Sequence, residues 1–239
     1  MELNKEVWAS EDVEPFLQYL YSFSKGEEKS YWEQRIVNTK MKCIAVPSNV
    51  VAEIVRKIKK GNFLQFIDVF LPVWDNLTLV NIIGKLICEI KAFDVFKRYL
   101  LQYAKKVDNW SSCDCLKFKC DYKNKAEYLK LSNQMLKSSK PFERRIGLGI
   151  LFSNVILFER EIFEALNNLG EEKEYYVNMM GAWLLAECII KCRTDTLKYF
   201  ENNTTNSFII NKGISKCRDS FRVSKEDKEY LLRFKVKAN

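Results

Sequence analysis

Apolar positions recur along this chain at the spacing of one helix face, and no stretch sustains the alternation of a strand. Between Ser48 and Lys60, for example, Val51, Ile54, Val55 and Ile58 fall at i, i+3, i+4 and i+7, while Arg56, Lys57, Lys59 and Lys60 turn elsewhere. The same pattern predicts helices near 10–24, 28–38, 47–60, 62–72, 76–91, 93–106, 110–119, 123–138, 141–157, 159–168, 173–191, 194–202, 206–218 and 224–235. Start signals agree: Pro47 precedes Ser48, Asn76 precedes Leu77, and Pro141 takes a first-turn position before Phe142. Gly26, Gly61 and Gly170 read as stops. Helices of this length joined by short connections have antiparallel neighbours, which stack either as a bundle or as a solenoid of helical pairs. No strict repeat unit is visible, so periodicity leaves both architectures open. No Gly-rich phosphate loop follows a strand-like run, which argues against nucleotide-binding α/β folds.

Composition reinforces the all-α reading. With 8 Gly and 4 Pro in 239 residues, there is little turn material for many short strands or a flexible linker, and one domain spanning 1–239 is expected. Lys and Arg outnumber Asp and Glu by 39 to 31, a formal charge of +8 that suits a polyanionic partner. The excess is uneven: nine of the cations, against four acidic residues, lie between Lys212 and Lys237. The longest apolar runs, Ile146–Phe152 and Met179–Ala186, fall well short of the roughly 18 residues that suggest a membrane span. The opening residues have neither a basic nor an apolar signal-peptide region, so a cytoplasmic location without membrane attachment is expected.

In that setting the eight cysteines read as reduced thiols, with Cys43, Cys88, Cys188 and Cys192 as core fillers. Cys113, Cys115 and Cys120 do not share a helix face and have no His to complete a zinc site, so no metal is expected. A chain without His also excludes Ser-His triads, His general bases and His-ligated metals. Any catalysis rests on Asp, Glu, Lys, Tyr or Cys.

Three constellations can carry chemistry. In the segment Val107–Asp114, a helix beginning at Trp110 places Asp114 one turn later on the same face, a carboxylate beside a large aromatic surface. A core Trp with a solvated Asp is the plainer account of that spacing. In the second, Tyr176, Met180, Trp183 and Glu187 share a helix face behind Tyr175, with Gly181 and Ala182 permitting close packing; such stripes also occur as ordinary core. The third is the pair Arg144 and Arg145 after Pro141, which can grip phosphate or simply be solvated.

Taken together and in this order, these segments resemble the DNA alkylation repair glycosylases of the AlkD type, from about Trp32 to Phe234. The segment Asn109-Trp110-x-x-x-Asp114 is similar to the family's Asn-Trp-x-x-x-Asp element. Arg145 in its Arg-Arg pair, and Tyr175, Tyr176 and Trp183, match the later elements. Phe142 stands where the family often has Trp, and Met179 where it commonly has Lys. The aromatic that its N-terminal helices contribute has no clear counterpart, Tyr31 and Trp32 lying in that neighbourhood.

The resemblance implies a curved solenoid of HEAT-like helical pairs with a concave DNA-binding groove. It also implies a monomeric, monofunctional glycosylase, needing no cofactor, that removes cationic N3- or N7-alkylated purines from duplex DNA in base excision repair. Asp114 is then the catalytic carboxylate, with Trp110, Arg144, Arg145, Tyr175, Tyr176 and Trp183 as substrate- and DNA-binding residues. A non-catalytic helical-repeat protein that binds nucleic acid, or a protein scaffold, is the competing expectation.

Overall fold

A computed structural model describes residues 1–236, so Lys237, the last cation of the basic stretch, lies outside the described residues. Contacts divide the chain into two compact units, 1–117 and 118–239. The first begins with a 3-10 turn at Ser10–Asp12 and continues through α1 (Val13–Tyr21), α2 (Glu27–Val37), α3 (Ser48–Ile58), α4 (Phe63–Phe70), α5 (Leu77–Ile87), α6 (Phe93–Ala104) and α7 (Trp110–Asp114). The second contains α8 (Lys125–Leu136), α9 (Pro141–Phe152), α10 (Glu159–Asn167), α11 (Tyr175–Lys191), α12 (Arg193–Glu201), α13 (Ser207–Asp219) and α14 (Lys225–Tyr230), and closes on a 3-10 turn at Leu231–Phe234. The described residues are thus all-helical. Their nearest approach to sheet is one isolated parallel bridge between Lys42 and Asn76. Among the described residues no helix is long and apolar enough to cross a membrane.

Within the first unit α3 packs on α5 and α5 on α7, while α4 and α6 flank α5. Within the second, α9 packs on α11 and α11 on α13, with α8, α10 and α12 lying against this row. A helix that contacts the next but one in sequence is the mark of stacked helical pairs, and each unit is built this way, as in a helical-repeat solenoid.

The central helices are apolar nearly all round because they are enclosed. In α5, Leu77, Leu79, Val80, Ile82, Ile83, Leu86 and Ile87 are all buried. On the flanking α3, burial falls on Val51, Ile54 and Ile58, one face of the predicted stripe. Trp8, Phe16, Phe66 and Phe70 close the start of the first unit with edge-to-face and stacked rings, Trp8 and Phe66 being 5.0 Å apart.

Helix starts follow the sequence signals. Asn76 caps α5 by accepting from the Leu79 amide at 2.9 Å, and Pro141 opens α9. The stop assigned to Gly26 is corrected: α1 has already ended, and Gly26, at φ 91°, is the N-cap of α2. Several predicted helices are shorter than expected. The helix over 110–119 stops at Asp114, and the one over 141–157 stops at Phe152, where the Ser153 hydroxyl donates back to the Ile150 carbonyl at 2.6 Å.

Candidate functional site

The chemistry-bearing residues fall in both units, Trp110 and Asp114 in the first and the arginines, tyrosines and Trp183 in the second.

A helix as short as α7, with five residues, has too few internal hydrogen bonds to hold itself. Side chains fix it instead. Asn109, fully buried, caps it by accepting from the Ser112 amide at 2.8 Å and donates to Asp108 at 3.0 Å. Asp108 in turn accepts from the Thr39 hydroxyl at 2.7 Å and the Lys40 amide at 3.0 Å. On the other side the buried Ser112 hydroxyl donates to Asn81 at 3.0 Å, and the Tyr103 hydroxyl donates to the Ser112 carbonyl at 2.9 Å. Gly84 makes room for that tyrosine, since a Cβ there would sit 2.7 Å from its hydroxyl.

This frame carries Trp110 at its first residue and Asp114 at its last, one turn apart and therefore on one side of the helix. Both are half-buried. The indole N–H of Trp110 donates to the Ile36 carbonyl at 3.3 Å, which sets the ring against α2. The plainer account, a core Trp, does not describe this partly open indole. Burial pushes the neighbouring Cys115 thiol up to about 11, so it stays protonated beside the carboxylate at neutral pH.

On α2 itself only Val37 is buried. Tyr31 and Trp32 are both more than half exposed and meet edge to face at 5.4 Å, and the Arg35 guanidinium lies 5.8 Å from the Tyr31 ring centre. Tyr31, Gln34, Arg35, Asn38 and Thr39 line an open cleft of about 540 Å³.

In the second unit a belt of polar contacts aligns the starts of α9, α11 and α13. Arg144 forms a two-pronged pair with Glu172 at 2.8 and 3.0 Å and donates to the Ser138 carbonyl at 2.9 Å. Asn178 donates to the Glu172 carbonyl at 2.9 Å. Asn206, the N-cap of α13, donates to Asn178 at 2.9 Å and to the Leu169 carbonyl at 2.7 Å. Arg144, one of the two arginines expected to grip phosphate, is thus engaged in an ion pair. Arg145 is buried and donates to the Tyr176 carbonyl.

The alignment gathers aromatic side chains from the first turns of three helices. Phe142 and Tyr176 lie 5.5 Å apart, Tyr175 and Tyr176 5.3 Å, and Tyr175 and Phe208 5.9 Å. Tyr175 remains 55% exposed, whereas Tyr176 is half-buried. Phe208 was not among the expected site residues. It looks in sequence like any first-turn apolar residue.

Two turns further along α11, Trp183 is 40% exposed and lies beneath the Lys216 ammonium, which sits 4.3 Å from the ring centre. Lys216, also absent from the expected set, has its pKa lowered, first by burial and then by the positive charges of Lys212 and Arg145. A cavity of about 360 Å³ opens here, with Trp183, Phe152, Lys216, Ser220 and Arg222 in its lining. Met180, on the predicted stripe, is buried.

Cys43, Cys88 and Cys188 are buried as expected of core fillers, while Cys192 is only partly so. Among the described residues no three Cys, Asp or Glu side chains come together in a group that could hold a metal ion.

Comparison with curated proteins and with solved structures found no match in either case. Against protein families, the model of the DNA alkylation repair enzymes matches residues 24–216, a span that takes in α2, α7 and the aligned starts of α9, α11 and α13. That match covers well over half of the sequence, and the chain belongs to the family of DNA alkylation repair enzymes.

Proposed function

We propose that this protein is a monofunctional DNA glycosylase that hydrolyses the N-glycosidic bond of purines carrying an N3- or N7-alkyl group in duplex DNA. It works without metal or organic cofactor and leaves an abasic site for base excision repair. The observation that carries the reading is α7: a five-residue helix pinned by buried Asn109 and Ser112, with a half-buried indole at its start and a half-buried carboxylate at its end.

Alkylation at N3 or N7 makes the purine cationic, so the base is already a good leaving group and needs little general-acid help. That suits a chain without His. As the bond between C1′ and the base nitrogen breaks, its electron pair cancels the ring charge and positive charge grows on the deoxyribose. Asp114 stabilises that charge and accepts a proton from the water that attacks C1′. The Trp110 face supports the sugar and the cationic base by aromatic contact, worth on the order of 1 kcal/mol.

The second unit supplies the hold on duplex DNA. Trp183, Tyr175 and Tyr176 offer aromatic surface, and Arg145 adds to the positive potential felt at Lys216. Arg144, tied to Glu172, acts by keeping the starts of α9 and α11 in place. The protein acts as a monomer in the cytoplasm, its helical pairs being HEAT-like repeats of one 1–239 domain.

The test is incubation of the purified full chain with a duplex containing 7-methylguanine. Free 7-methylguanine, with an alkali-labile site left in the strand, is the expected result. Binding of that duplex without release of base overturns the glycosylase reading in favour of a non-catalytic nucleic-acid-binding protein.

A further inference from the structure

Phe221 is the most exposed large apolar side chain described, at 103% of its reference area, yet the backbone on both sides of it is fixed. Before it, the Ser220 amide donates to the Cys217 carbonyl at 3.2 Å, and the Ser220 hydroxyl accepts from the Arg222 amide at 3.2 Å. After it, Arg222 makes a two-pronged pair with Glu187 of α11 at 3.0 and 2.7 Å, and Val223 is buried. Ser224 then caps α14 by accepting from the Asp227 amide at 3.0 Å, and Asp227 is paired with Arg193. A short turn between α13 and α14 is therefore clamped on either side of a phenyl ring that touches solvent all round. A ring held out in this way has no role in folding. It is preorganised for contact with something else.

Its surroundings say what that is. Ser220 and Arg222, its two neighbours in sequence, line the cavity that also holds Trp183 and Lys216. Lys212, Lys216, Arg218, Lys225 and Lys228 precede and follow it in sequence, beside Arg222 with its Glu187 partner, against Asp219, Glu226, Asp227 and Glu229. An apolar tip in a stretch with more cations than carboxylates, next to the cavity that Trp183 lines, fits a polyanion whose interior is a stack of flat apolar rings.

We propose that Phe221 is a wedge that presses into the base stack of duplex DNA and partly unstacks one base step, while the cations around it hold the flanking phosphates. The inference rests on the DNA-binding part of the function proposed above and does not depend on base release. A wedge distinguishes weakened stacking, as at a damaged base, from intact duplex, because opening an already loosened step costs less.

The experiment uses the full chain and duplexes carrying 2-aminopurine at successive positions around a stable tetrahydrofuran abasic analogue, so that no chemistry is required. Wild type is expected to raise 2-aminopurine emission at one step. Phe221→Ala abolishes that rise and weakens binding about tenfold, as expected for loss of one base-aromatic contact, while Phe221→Trp restores both. Because the ring makes no packing contact, Phe221→Ala leaves the melting temperature and the circular dichroism unchanged. Emission that stays flat at every position with wild type bound, or Phe221→Ala that matches wild type, overturns the wedge. So does sedimentation showing that Phe221→Ala converts a dimer to a monomer, which would make the ring a contact between copies. Failure of wild type to bind any duplex overturns the DNA-binding reading and the wedge with it. An intact wedge signal without release of 7-methylguanine overturns the glycosylase reading alone.

Discussion

The short α7 and the long α11 hold their functional side chains by opposite means. α7 has five residues and no long packed face, and polar side chains bolt it in place: Asn109 at its start, Ser112 in its middle, Asp108, Asn81 and Tyr103 around them. α11 has seventeen residues and is set by packing, with Gly181 close under Ile209 and Gly213 of α13 close under Leu185. Polar clamps reach α11 at its start, through Glu172 and Asn178, and again near its end, where Glu187 accepts from Arg222. Hydrogen bonds have directions and fix a few atoms closely, whereas apolar packing fixes a whole helix. A carboxylate that must face a developing charge needs the first kind of support. A surface that binds a long ligand is served by the second.

Breaking the clamp of the second unit should have the largest effect on stability. Arg144→Met leaves the Glu172 carboxylate, 10% exposed, without its partner, and is expected to cost about 3 kcal/mol in urea denaturation. A pH titration sharpens this. Burial pushes the Glu172 carboxyl up, but the Arg144 hydrogen bonds and the Glu174 and Lys173 amides outweigh it and hold the group below its ordinary value. A carboxyl with a depressed folded pKa contributes stability above its unfolded pKa, about 4.3, and loses that contribution as pH falls through the folded value. Wild-type stability should therefore decline on acidification below about pH 4.3, and Arg144→Met should flatten that decline. An identical acid limb in both proteins would remove Glu172 from the account.

In the first unit, Asn109→Ala removes a buried cap and one of the donors to Asp108, at an expected cost of about 2 kcal/mol. The comparison predicts a split. Asn109→Ala should lower base release more than duplex affinity, and Arg144→Met should do the reverse. Equal losses in both assays for both variants would dissolve the distinction between the two regions. Among the smaller effects, duplex affinity should fall as salt rises, because the +8 charge displaces condensed counterions. Filter binding at two ionic strengths measures it.

The sequence made the helices legible because burial of a periodic apolar face is a local pattern. Each of the fourteen segments marked by periodicity overlaps one α-helix. Ends were less legible where a side chain decided them: the hydroxyl of Ser153 bends back on the last turn of α9, and nothing in its neighbours signals that. Gly26 departs from the expected stop because a glycine with positive φ serves a helix start as readily as a stop. At the site, the spacing of Trp110 and Asp114 was visible because they lie on one helix. The partners of the arginines were not, since Glu172 and Tyr176 approach Arg144 and Arg145 from a distant part of the chain. Lys216 over Trp183 was hidden for the same reason: it belongs to the next helix of the row.

The central claim is that the carboxylate presented by α7 does the chemistry, and Asp114→Asn isolates it. The amide keeps the size of the side chain and removes its charge, so duplex affinity should change little while stabilisation of the sugar cation is lost. The decisive measurement is single-turnover release of 7-methylguanine by wild type and Asp114→Asn at equal, saturating protein, with circular dichroism confirming that both are folded. Loss of one preorganised electrostatic contact predicts a rate lower by about a hundredfold. A rate equal to that of wild type would contradict the account and return Asp114 to the role of a surface carboxylate.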